Sequence, residues 1–166
     1  MESLNSYYAL GVNDYLYAKA GLMICKELGN YNSVAAGCAQ AAEKMLKAVI
    51  EKGFTQDDFS TTGEFFSILK SHNLRAIHNV MVKKYELSVS SKDLKWLGDF
   101  YYDARYPGDY FIEVNEQDAI EALEITESVK RNVDCILEQI NKDKKEHSGQ
   151  LQQMSEFKLS SLERSD

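Results

Sequence analysis

Ser91-Lys92-Asp93-Leu94-Lys95-Trp96-Leu97-Gly98-Asp99-Phe100-Tyr101-Tyr102-Asp103-Ala104-Arg105-Tyr106-Pro107 is the stretch that decides the fold. At 100° per residue, Leu94, Leu97, Gly98, Tyr101 and Arg105 fall along one side of a helix, so an apolar stripe faces a core and runs into the arginine. Ser90 or Ser91 supplies the N-cap, Asp93 suits the positive first turn, and Pro107-Gly108 stops the helix. A guanidinium on a core-facing stripe needs a carboxylate, carbonyls or a bound anion, because burying it unpaired is very costly. The same place at a helix C-terminus also suits a capping arginine that anchors the next turn.

Outward from this stretch the chain keeps the helical period. Leu4 to Leu28 carries Tyr8, Val12, Tyr15, Ala18, Leu22 and Cys25 every three or four residues and ends near Gly29-Asn30. Asn32 or Ser33 fits as N-cap of a second helix with Val34, Cys38, Ala41, Ala42, Met45, Leu46 and Val49 inward, closed at Gly53. The segment 55–62 has turn chemistry and no period, and reads as a loop. Glu64 to Tyr85 is helical again through Phe65, Leu69, Ile77, Val80 and Met81, as one helix or as two with a new start at Ser71-His72-Asn73. Asn115 caps the last long helix, with Ala119, Leu123, Thr126, Val129, Val133, Ile136 and Ile140 inward.

These segments predict an all-α, up-and-down bundle of four to five helices, since helices on short connections pack antiparallel. A single proline, nine glycines, 44% hydrophobic and 27% charged residues agree with a globular helical domain. The bundle is expected over residues 1–147, with 148–166 a polar tail or weak docking helix carrying Leu151, Met154, Phe157, Leu159 and Leu162. No apolar run is long enough to span a membrane and no signal peptide is apparent, so a cytoplasmic address is expected. Cys25, Cys38 and Cys135 lack metal-ligand spacing and are expected as reduced, buried thiols; no metal or cofactor is expected.

The net charge of -7 argues against a general nucleic-acid binder, but the acid is concentrated in residues 106–166, with seven Lys/Arg against fourteen Asp/Glu. Between Glu64 and Glu86 no acidic residue occurs, yet Lys70, His72, Arg75, His78, Lys83 and Lys84 do. One local surface is expected to be positive.

Four groups of residues could carry chemistry. Gln40, Glu43, Lys44 and Lys47 form one polar ridge on the second helix, read either as a solvated face with a Glu43–Lys47 pair or as the lining of a groove where lysines meet phosphate and Glu43 orients an arginine. His72 and His78, six apart, lie on different faces of a continuous helix and do not suit a shared metal. Phe100, Tyr101, Tyr102, Tyr106, Tyr110 and Phe111 surround Arg105 in sequence; aromatics beside a cation either fill the core or stack a base, with Tyr101 assigned to the core. Arg105 itself is the fourth. No Walker-type glycine loop, zinc spacing or dinucleotide fingerprint occurs.

Three of these elements match a known pattern. Ala39-Gln40-Ala41-Ala42-Glu43-Lys44-Met45-Leu46-Lys47-Ala48 resembles the second-helix signature of HEPN domains, the higher-eukaryote and prokaryote nucleotide-binding family. Ser71-His72-Asn73-Leu74-Arg75 resembles its histidine-leucine step, and Tyr101 through Arg105-Tyr106-Pro107 resembles its Tyr-x-x-x-Arg-Tyr-Pro ending. The resemblance implies a bundle similar to the C-terminal domain of kanamycin nucleotidyltransferase, a homodimer, nucleotide or RNA as ligand, and a nucleotidyltransferase as possible partner. A large branch of the family are metal-independent ribonucleases with a histidine four to six residues after the arginine. Here those positions are Asp109, Tyr110 and Phe111, and a tyrosine is poorly matched as a base near neutral pH.

The resulting expectation is a nucleotide- or RNA-binding module without turnover, with Arg105, Lys47, Lys44, Glu43, Tyr106 and His72 at the site. Two alternatives stand beside it: an atypical ribonuclease using Arg105 and His72, and a protein-interaction module whose family site is vestigial.

Overall fold

The computed structural model describes residues 5–162, with side chains as far as Gln150. Six α-helices make up the described chain: α1 (Tyr7–Leu28), α2 (Asn32–Gly53), α3 (Thr62–Lys70), α4 (Leu74–Met81), α5 (Ser91–Asp103) and α6 (Glu116–Leu162). A single 3₁₀ turn, Gln56–Asp58, lies in the segment expected to be a loop. The fold is all-helical, as the sequence predicts, and the stretch after Glu64 divides into two helices because Asn73 caps α4 by accepting from Ala76 N–H at 3.0 Å.

Helix α2 is the centre of the molecule. It packs against α1, α4, α5 and α6, and Val34, Cys38, Ala41, Ala42, Met45, Leu46 and Val49 are buried, as are Ala36 and Ile50 on the opposite side. Surrounded in this way, the helix keeps one narrow line partly open, through Ser33, Gly37, Gln40, Lys44 and Glu51. The ridge that periodicity allowed as a solvated face is therefore buried at Glu43 and Lys47, because α1, α4 and α5 close over it.

Two glycines explain how α1 reaches α2. Gly29 takes φ 68° at the C-cap and donates its N–H to Cys25 O, turning the chain back within three residues. Where α1 crosses α2, a Cβ on Gly11 would stand 2.7 Å from Met45 Cγ and 2.9 Å from the Met45 backbone nitrogen, so only glycine permits the approach.

Two expectations are corrected. Helix α5 ends at Asp103, so the stripe does not run into Arg105: Ala104 takes the buried place and Arg105 turns out to solvent. Of the three thiols, Cys25 and Cys38 are buried but Cys135, on the outer side of α6, is exposed. The buried Cys38 thiol is pushed up to about 12 by desolvation.

Helix α6 starts with reciprocal bonds between Asn115 and Asp118, as its cap predicts, and continues through Ser148 and Gly149. Among the described side chains its last buried one is Ile140, and those from Asn141 to Gln150 are exposed. The side chains of Leu151, Met154, Phe157, Leu159 and Leu162, on which a docking role for the tail would depend, lie outside the described residues, as does Leu4, the expected start of α1. Among the described residues no helix is long and apolar enough to cross a membrane.

Candidate functional site

The base of the site is an ion pair inside the bundle. Lys47 (3% exposed) and Glu43 (6%) sit one turn apart on α2, with Nζ donating to Oε1 at 2.7 Å. Their burial makes the pair obligatory: either charge alone in that position would carry an uncompensated desolvation cost. The Tyr7 ring of α1 lies 5.9 Å from the Lys47 ammonium and covers it. Lys44, on the same ridge, is half-buried and bound to Asp14 of α1.

His72 stands above this pair. It occupies the short connection between α3 and α4, where the Asn73 cap begins the new helix, and its Nδ1 lies 3.0 Å from Glu43 Oε2. A carboxylate accepts, so Nδ1 carries the hydrogen and the imidazole is fixed in orientation. The side chain is nonetheless 45% exposed. His78 is different: it is buried in α4 with Nε2 3.1 Å from the Val89 carbonyl, a structural group.

Tyr101 connects His72 to Arg105. Its ring stacks on the imidazole at 4.7 Å and 23°, and the Arg105 guanidinium lies 5.7 Å from the same ring. Burial, and then the Glu43 charge, raise the Tyr101 phenol above its ordinary value, so it remains neutral beside the arginine. Tyr101 was expected in the core; it is partly buried and forms the bridge of the site. Arg105 also lies 5.6 Å from the Tyr106 ring, and no carboxylate pairs with it among the described residues. The Arg105–Glu43 contact that the ridge suggested is absent: Glu43 is engaged by Lys47 and His72.

The loop that carries Arg105, Tyr106 and Pro107 is anchored from a distance. Asn32 Nδ2 donates to the carbonyls of Ala104 at 2.9 Å and Ile112 at 2.7 Å, and its Oδ1 accepts from Val114 N–H at 3.1 Å. Ile112 N–H closes the loop onto Asp103 O at 2.8 Å. Read from sequence, Asn32 is a candidate cap; in the structure the N-cap is Tyr31, which makes no side-chain cap bond, and the Asn32 amide instead satisfies three backbone groups of a segment more than 70 residues away. No local pattern could reveal that use.

A cleft of about 490 Å³ opens beside His72, between the start of α4 and α5. Arg75, Lys95, Asp99 and Tyr102 line it. Arg75 was legible as part of the acid-free stretch; Lys95 and Asp99 carried no signal beyond an ordinary i, i+4 pair. Among the described residues no group of three or more metal-ligating side chains occurs.

The arrangement is thus a buried Glu–Lys base, an oriented and exposed histidine, a stacked tyrosine and an open arginine on a stapled loop. These parts sit on the elements of a helical domain whose family model is defined: the HEPN domain model matches residues 22–136. The chain belongs to the HEPN domain family. No curated protein and no solved structure matches it.

Proposed function

We propose that this chain binds nucleotide phosphate or RNA at the Arg105 loop, as a module that does not turn its ligand over. The observation that carries the reading is the state of Arg105: exposed, without a carboxylate partner among the described residues, and held against two tyrosine rings on a loop fixed by Asn32. A guanidinium so placed keeps its fork of donors for an outside anion and loses little freedom on binding one. Tyr106, exposed beside it, offers a ring face to a base. Membership of the HEPN family supports the same ligand class.

The ridge residues act from beneath. Lys47 and Glu43 are too buried to meet a ligand directly, so Lys47 holds Glu43 and Glu43 holds His72. Lys44, bound to Asp14, sits at the edge. The expected homodimer has support in α1, whose outward Leu10, Tyr17 and Ile24, seven residues apart, form with Leu28 one exposed apolar stripe. Anisotropy titrations of labelled ATP and a short RNA test the reading: Arg105→Ala should weaken both at least tenfold with an unchanged circular dichroism spectrum. Unchanged affinity would defeat it.

A second reading, metal-independent cleavage of RNA, is favoured by the Glu43–His72 contact alone. A histidine whose Nδ1 is held by a carboxylate has Nε2 available for proton transfer, and Arg105 would stabilise charge developing on phosphorus. RNA incubated with the protein in chelator distinguishes the two: cleavage lost in His72→Ala sustains the enzyme, and no cleavage leaves the binding module.

A further inference from the structure

The acid-free stretch has a consequence away from Arg105. His72 and Arg75, both from it, form one side of the 490 Å³ cleft, while Lys95, Asp99 and Tyr102 of α5 form the other. Leu74 floors it against Gly98, where an added Cβ would touch the leucine at 3.6 Å. The charges are unequal. Lys95 and Asp99 neutralise each other at 2.9 Å, whereas Arg75 is exposed and has no carboxylate partner among the described residues, so it sets the sign of the cleft.

Tyr102 joins this cleft to the Arg105 loop. It lines the cleft, is 55% exposed, and its ring centre lies 6.4 Å from that of His72 on one side and 6.4 Å from that of Tyr106 on the other. The His72 ring is already stacked on Tyr101, but Tyr102 and Tyr106 are both exposed and tilted 32° to each other, with a guanidinium lacking a carboxylate partner among the described residues on either side. They match the elements by which single-stranded nucleic acid is held: aromatic faces for successive bases and cations for the phosphates between them. Bases paired in a duplex cannot present their faces in this way.

Resting on the reading of Arg105 as a phosphate site, we infer that the α4–α5 cleft is a second subsite that receives the neighbouring nucleotide. Arg75 meets its phosphate, and Tyr102 is shared between the two bases. The ligand is therefore a single strand of at least two nucleotides, and a mononucleotide fills only the Arg105 half.

Fluorescence anisotropy with labelled AMP and labelled penta-adenylate on the full chain tests this. The wild type should bind the pentamer at least tenfold more tightly than AMP. Arg75→Ala should reduce that ratio to within threefold, leave AMP affinity unchanged, and lower the salt slope for the pentamer by about 0.7. Arg75→Lys should retain most of the gain, and circular dichroism confirms that each variant is folded. A wild type with no length dependence, or an Arg75→Ala variant that keeps it, overturns the second subsite. Arg105→Ala with intact AMP binding overturns the Arg105 reading instead, and a wild type that binds neither probe overturns both.

Discussion

Glu43 Oε2 lies 3.0 Å from His72 Nδ1 although the two residues are 29 positions apart, one deep in the central helix and the other in an open connection. The contact transmits order from the core to the surface: Lys47 fixes the carboxylate, the carboxylate fixes the imidazole, and Tyr101 stacks on the imidazole beside Arg105.

If Lys47 serves to neutralise Glu43, Lys47→Met should destabilise the protein by about 3–5 kcal/mol, because it leaves a buried carboxylate without its cation. The double variant Glu43→Leu/Lys47→Met should recover most of that loss, since two well-packed apolar residues remove the desolvation problem together. Urea unfolding of the wild type and both variants measures this; a double variant as unstable as the single one would contradict the account.

Asn32→Ala removes three hydrogen bonds to the loop that presents Arg105. The carbonyls and the amide left without partners should cost roughly 1–3 kcal/mol of stability. Hydrogen exchange at the Val114 amide should accelerate while exchange in α2 away from its first turn changes little. Ligand affinity should fall although Asn32 touches no ligand.

The thiols should react unequally. Maleimide at neutral pH should label Cys135 quickly and leave Cys38 unmodified until the chain unfolds. Because the folded Cys38 holds its proton to about 12 against 9.0 ordinarily, it stabilises the fold below pH 9, and that contribution is lost as pH rises from 9 towards 12. Cys38→Ala should flatten this part of the alkaline stability profile.

Tyr17 and Ile24 are 73% and 63% exposed on the outer face of α1. If that stripe joins two copies of the chain, Tyr17→Lys/Ile24→Lys should shift the sedimentation coefficient from dimer to monomer without loss of helical signal. A wild type that sediments as a monomer at micromolar concentration would rule out the pairing.

The helices were legible because their information is local. The period of α2, the Asn73, Ser90 and Asn115 caps and the Gly29 turn each depend on residues within a few positions of one another. The site was legible as a set of names, Glu43, Lys47, His72, Arg105 and Tyr106, and one i, i+4 pair, Glu43–Lys47; the contacts of His72 with Glu43 and of Tyr101 with His72 and Arg105 were not. Arg105 was expected on the core stripe, and the helix ends two residues before it.

Sequence by itself determined that this chain is a helical bundle and that an Arg-Tyr-Pro element follows the helix that opens at Ser90-Ser91, since backbone period and chain-stopping residues act over one or two turns. Only the tertiary structure decided which charges are sealed and which are free. Burial of Glu43 and Lys47, the stacking of His72 on Tyr101, and the staple from Asn32 all arise where α1, α4 and α5 close over α2. Whether a charge is sealed or open, and whether it finds a partner beyond its own helix turn, depends on what distant segments bring against it, and no spacing along the chain encodes that.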